Sequence, residues 1–203
     1  MRFLHTIAIA GVGVFIAVCG AAQFLRTDLD WIAAPLSFYL IGPGGAVVKV
    51  AYVALSSALI ALGIGFHRAL VPGARRVLPM LLFAVSAIAL TVTALTQVPS
   101  ADDPRGLFAF IHAVAAMTTF LCVTVAMLLQ SWHLRSDPRW RDARVFAFAM
   151  ALAAFAALWT YALVHALPRG LAQKTVIALI LVWLAWAAIA LRRRSSQRLH
   201  QSL

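Results

Sequence analysis

Charge is scarce in this sequence. Charged residues make up 11% of the 203 positions and only six are acidic, whereas a soluble domain carries roughly a quarter charged residues. That shortage excludes a water-exposed surface over most of the chain. Cysteine is nearly absent too: Cys19 and Cys122 stand apart, with no CxxC and no Cys–His cluster, so neither a disulfide framework nor a thiolate zinc site is encoded. Two free thiols packed inside helices are expected. No HExxH or HxxxH sets two imidazoles on one helix turn, and Gly42-Pro43-Gly44-Gly45 lacks the Lys-Ser/Thr ending of a phosphate-binding loop. A tight turn is its expected task. No internal repeat, low-complexity segment or long polar insertion interrupts the chain, which points to one membrane domain over residues 1–203.

What is abundant is apolar surface, at 64% of residues, gathered into six runs at about 3–25, 46–66, 77–98, 107–130, 143–166 and 172–191. Each approaches the about 20 residues that a helix needs to cross the hydrocarbon layer. The expected fold is therefore all-α, a bundle of six transmembrane helices followed by a basic tail at 192–203. Pro99, Pro104, Pro138 and Pro168 fall in the connections, where a fixed φ ends or redirects a helix. The first run could instead be a cleaved signal peptide, since Arg2 precedes it and small residues surround Cys19. Its continuation to Leu25 favours a retained helix.

The net charge of +11 could suggest nucleic acid, but the basic residues lie between apolar runs and in the tail rather than on an exposed face. Their placement gives orientation instead. With the amino terminus inside, Arg2, Arg68, Arg75, Arg76, the Arg135 to Arg144 group and Arg192 to Arg198 are cytoplasmic, while Arg26, Lys49, Arg105, Arg169 and Lys174 remain outside. Positive charge resists translocation, so both termini are expected in the cytoplasm of a bacterial inner membrane. Membrane lipids are the expected partners of these arginines and of Trp132 and Trp140; no nucleic acid is expected, and protein partners are not specified.

Polar residues inside a span are costly and so informative. Lys49, Tyr52 and Ser56 share one face of the second helix, Ser86, Thr93 and Gln97 lie at compatible spacings in the third, and His112, Ala115, Ala116 and Thr119 form a partly polar face of the fourth. Tyr161 and His165 stand four apart near the end of the fifth. Most of these fall in the outer half. His112, about 8 Å below the interface, needs a donor and an acceptor partner, with Asp102, Asp103, Gln97, Tyr52 and His165 in reach. An interhelical hydrogen bond is one reading. A metal held by His112 and His165 with the outer aspartates is another, a haem between the two histidines a third, and a serine nucleophile at Ser37 or Ser100 with His112 and Asp103 a fourth. Spacing does not choose among them. Lys49 reads most simply as a salt bridge to Asp28, Asp30 or Asp103.

Two stretches also carry a likeness. Val98-Pro99-Ser100-Ala101-Asp102-Asp103-Pro104-Arg105-Gly106, followed by His112, and Gly170-Leu171-Ala172-Gln173-Lys174, with Trp183, resemble the domain-of-unknown-function 998 family of six-helix bacterial and archaeal membrane proteins. Ser37, Tyr39 and Gly42 before the second helix fit as well. Gln173 stands where an acid is common in that family, which weakens a carboxylate role there. The resemblance implies the architecture and no activity.

Three functions follow as expectations. The first is a non-enzymatic protein binding a small molecule or lipid headgroup in an outer-half pocket around Lys49, Tyr52, Gln97, Asp103, His112, His165 and Gln173. The second is a membrane hydrolase or metal-dependent lipid-modifying enzyme using Asp103 and His112. The third is a small-solute transporter, for which the middle of the bundle offers no acid or base. No cofactor is specified by the sequence.

Overall fold

The computed structural model describes residues 2–96 and 106–200, with side chains for 3–96 and 106–194. Among them are six long helices and no strand: α1 (Arg2–Leu25), α2 (Gly45–Ala69), α3 (Val77–Leu95), α4 (Leu107–Leu134), α5 (Arg144–Leu163) and α6 (Arg169–His200). All six are long and apolar enough to cross a membrane. Each helix packs on the next, α6 returns against α1 to close a ring, and α2 also touches α6 across the middle. Helix α1 belongs fully to the ring, burying Ala8, Val12, Phe15, Cys19 and Ala22 along one stripe. Close approach to α2 depends on Gly11, where a Cβ would lie 2.3 Å from the Ala54 carbonyl oxygen. Small residues at such a crossing let helix backbones meet where lipid gives little hydrophobic drive.

Several helix ends differ from the sequence expectation by three or four residues. Helix α5 stops at Leu163 instead of running to 166, because Pro168 has no N–H to donate to the Val164 carbonyl and its ring would clash with that oxygen. His165 thus leaves the helix and no longer shares a helical face with Tyr161. Helix α4 runs a full turn past 130, carrying Gln130, Ser131 and Leu134 as buried positions. The expected basic tail begins as a continuation of α6, which stays helical through Arg192–Arg194 to His200.

The ring has two unlike ends. At the arginine end lie the α2–α3 and α4–α5 connections and the end of α6. Asp137, in the α4–α5 connection, is 1% exposed and accepts from the Val71 N–H (3.1 Å) and from the Arg139 N–H, Nε and Nη2 (3.1, 2.9 and 2.6 Å). Arg139 donates onward to the Ala69 carbonyl at 2.9 Å. The Arg194 side chain donates to the Arg139 carbonyl and lies over the Trp140 ring, 3.7 Å from its centroid. Asp137 and Arg139 together thereby tie three segments. Beneath it Trp140, Trp183, Trp186, Phe66 and Phe83 form a contiguous aromatic cluster. The Trp183 indole N–H donates to the Ala147 carbonyl at 3.0 Å and to Ser131 Oγ at 3.2 Å.

The other end, here the loop end, carries the long α1–α2 connection. Arg26 grips Asp28 through two 2.7 Å bonds and donates to the Ile41 carbonyl at 2.6 Å. Gly42 and Gly44 adopt φ of +75° and +77°, the left-handed region that glycine enters at no steric cost, and turn the chain into α2. The connection docks on the start of α6: Gly170 and Leu171 donate their N–H groups to Ala33 and Ile32 carbonyls at 3.1 and 2.8 Å. These are first-turn donors with no partner in their own helix. A Cβ at Gly170 would lie 2.5 Å from Ala34 O and 2.6 Å from Ile32 O, so only glycine permits this approach.

Candidate functional site

Helices α2, α3, α4 and α6 present their polar positions to a shared interior. Tyr52, Ser56, Ser86, Thr93, His112, Thr119 and Gln173 are all buried, as the polar faces read from the sequence require. Between Tyr52, Thr93, Thr119 and Gln173 of this set and the η1 turn (Leu36–Leu40) lies a cavity of about 70 Å³. Tyr52, Thr93, Thr119, Ser37 and Gln173 supply its polar wall, while Leu55, Leu59 and Leu184 supply part of the apolar remainder. Helix α5 contributes nothing to the lining. The lining side chains on α2 and α3 are buried, whereas Ala116, Phe120, Ile177 and Leu181 on α4 and α6 are half-exposed.

Two of the polar groups have bonding capacity to spare. Tyr52 stacks on Phe15 with ring centroids 5.2 Å apart, and its hydroxyl has no hydrogen-bond partner among the described residues. Gln173 Oε1 accepts the Leu36 N–H at 2.8 Å, which fixes the carboxamide and leaves its NH₂ as a donor. Thr93 and Thr119 spend their O–H groups on the Ala89 and Ala115 carbonyls at 2.9 Å each, so toward the cavity they offer acceptor lone pairs. A ligand here would meet a hydroxyl, an amide donor and two acceptors in an otherwise apolar wall, the usual composition of a small-molecule site.

The other expected site residues disperse. His112 is 4% exposed but borders α3 rather than the cavity: its Nδ1 lies 3.4 Å from Thr96 Oγ1, and the ring reaches backbone groups of Thr93 and Thr96. Thr96 was not among the partners weighed from the sequence, although its position at the α3 end makes it a natural one. Lys49 is half-buried and lines neither this cavity nor a salt bridge among the described residues. Asp28 is held by Arg26, and Asp30 accepts the Ile32 N–H at 2.8 Å to shape the connection. His165 is exposed in the turn after α5 and contacts the Leu163 carbonyl at 3.1 Å. Gln97, Asp102 and Asp103 lie outside the described residues. Among the described residues no group of three His, Cys, Asp or Glu side chains gathers as a metal set. Cys19 and Cys122 are free thiols.

Outside the spans, the electrostatics follow the ion pairs. The hydrogen bonds from Arg139 hold the Asp137 carboxyl below the usual carboxylate range, against the opposing effect of burial and with help from the Val71 N–H. Arg26 does the same for the exposed Asp28. Burial pushes the Tyr39 phenol up, so it remains a protonated donor at neutral pH.

The Gly170-Leu171-Ala172-Gln173-Lys174 stretch gains a physical meaning from this geometry. Gly170 and Leu171 bond the connection, Gln173 bonds Leu36, and the Lys174 ammonium donates to the Trp31 carbonyl and sits 5.6 Å from the Tyr39 ring centroid. The motif is a clamp for the α1–α2 connection. In comparison with known proteins, the family described as "Protein of unknown function (DUF998)" matches the chain over residues 9–190. No curated protein and no solved structure matches it.

Proposed function

Because the chain belongs to the family of proteins of unknown function named DUF998, which supplies an architecture and no activity, we propose the role its interior fits best. It is a non-enzymatic multi-pass protein of the bacterial inner membrane that binds a small molecule or lipid headgroup in the loop half of its bundle. One observation carries this reading: Tyr52 and Gln173, more than a hundred residues apart, border one cavity with polar groups unpartnered among the described residues. A ligand that accepts from the Tyr52 hydroxyl or the Gln173 amide gains a hydrogen bond worth about 0.5–1.5 kcal/mol. The cavity volume of about 70 Å³ restricts the part that enters to a small polar group or the end of one chain. The distribution of arginine supports both termini in the cytoplasm and the loop end outside.

The test is to purify the protein in mild detergent and identify what travels with it by mass spectrometry. Wild type should carry a defined species that is depleted in Thr119→Val, which keeps the shape and removes an acceptor, and absent in Ala116→Phe, which fills the space. Equal amounts of the same species on all three proteins would refute the reading.

A further inference from the structure

On the outer surface of the arginine end, three basic side chains meet with no acid between them. Arg76 immediately precedes α3, His133 and Arg135 stand at the end of α4, and α3 packs along α4. The charged side chains within electrostatic reach of the His133 ring are Arg76 and Arg135, and among the described residues no carboxylate joins them. Only two of the chain's six acids, Asp137 and Asp142, belong to this end. Asp137 is held by Arg139, and Asp142 acts on Arg194. We propose that Arg76, His133 and Arg135 bind the phosphate of an anionic membrane phospholipid.

Three observations converge on that partner. First, positive groups gathered without an acid repel one another, and an anion among them turns that repulsion into attraction. Second, the guanidinium donors are both held and available. Arg76 spends Nη1 on the Gly73 and Arg75 carbonyls at 3.2 and 2.8 Å, and its Nε and Nη2 have no partner among the described residues. The Arg135 guanidinium lies over the Trp132 ring, 3.3 Å from the centroid. That contact fixes its plane and leaves its N–H edge unpartnered among the described residues. The planar fork of a guanidinium matches two phosphate oxygens, and arginines such as Arg139 and Arg194, already bonded within the protein, offer less. Third, the surface just beyond the cluster is apolar. Leu78, Leu81, Val85 and Ile88 are exposed at i, i+3, i+7 and i+10, one face of the membrane-spanning α3, and Trp132 is exposed beside Arg135. A phospholipid sets its phosphate at the helix end and an acyl chain along that face; a soluble anion makes no use of it.

A site on the lipid-facing surface exchanges its occupant with detergent, so the test adds lipid back to delipidated protein. The lipid-dependent rise in unfolding temperature is titrated with dioleoyl phosphatidylglycerol and with dioleoyl phosphatidylcholine. Wild type should bind the anionic lipid about tenfold more tightly. Arg76→Gln/Arg135→Gln should lose roughly tenfold in affinity for phosphatidylglycerol, so that the preference disappears. Both side chains are exposed, and without lipid this variant should unfold at the wild-type temperature. Arg141→Gln/Arg144→Gln removes the same charge from the same end and should keep the preference within about twofold of wild type. An equal loss in the two variants would mean diffuse attraction to basic surface and overturns the proposal. An unchanged preference in Arg76→Gln/Arg135→Gln overturns it too, as does a stabilisation by inorganic phosphate that matches the lipid's at equal concentration. The interior cavity is read from species retained without added lipid, and Thr119→Val and Ala116→Phe should leave the phosphatidylglycerol response unchanged, so the two tests fail separately.

Discussion

The arginine end and the loop end of the bundle use polar groups in opposite ways. At the arginine end a buried carboxylate, Asp137, has four donors and the buried indole of Trp183 has two acceptors. Polarity there is consumed in holding connections to helices. At the loop end the connection is clamped as firmly, through Gly170, Leu171 and Gln173, yet Tyr52 and Gln173 border open space, and the buried Tyr39 hydroxyl has no partner among the described residues. The arginine end has orphans of its own, Gln130 Nε2 and His67 Nδ1, but neither borders that space. Unmet bonding capacity next to space is what separates a binding region from a merely imperfect one.

Substitutions should separate the two ends by what they cost. The largest stability loss is expected for Trp183→Ala, about 3 kcal/mol from lost ring contacts and two hydrogen bonds, measured by reversible unfolding in mixed detergent micelles. Asp137→Ala should follow at about 2–3 kcal/mol, because it orphans the Val71 N–H and releases Arg139. That contribution is pH-dependent. The Asp137 pKa is depressed in the folded protein, so its stabilisation is complete above the ordinary carboxylate pKa of about 3.9 and disappears as pH falls through the lower folded value. An unfolding midpoint that drops below about pH 4 in wild type, and drops less in Asp137→Asn, is the expected pattern. Next, Gly170→Ala should cost about 1–3 kcal/mol by pushing the connection off α6, and amide hydrogen exchange should quicken at Gly170 and Leu171. Smallest in stability are Thr119→Val and Tyr52→Phe, each within about 1 kcal/mol of wild type, and these should lose ligand. If they destabilise as much as Trp183→Ala, the distinction between the ends collapses.

Much of this fold was legible in the sequence because hydropathy and length alone dictate six spans, and burial follows the polar faces of α2, α3 and α4. Tyr52, Thr93 and Thr119 were placed inside by helical spacing, and the cavity they share agrees. What periodicity could not convey was termination and partnership. Apolar periodicity extends α5 through His165, but Pro168 acts four residues upstream, and His165 stands exposed in the turn after the helix. Gln173 does border the cavity, but what fixes its carboxamide is the Leu36 N–H, a pairing across 137 residues that no local pattern encodes. Of the three acids that suit Lys49 by sequence, Asp28, Asp30 and Asp103, the first is held by Arg26, two residues away, whose planar fork binds both carboxylate oxygens, and Asp103 lies outside the described residues. Asp137 went unremarked, although an aspartate before Pro138 and a following arginine is a turn-capping signal.

In the proposed role the interior cavity, and not the arginine end, holds the ligand. Native mass spectrometry of the intact protein released from detergent tests it most directly, comparing wild type with Ala116→Phe and with Asp137→Ala. A bound species of one mass on wild type and Asp137→Ala, missing from Ala116→Phe, is the expected result. The same species retained on Ala116→Phe would contradict the claim.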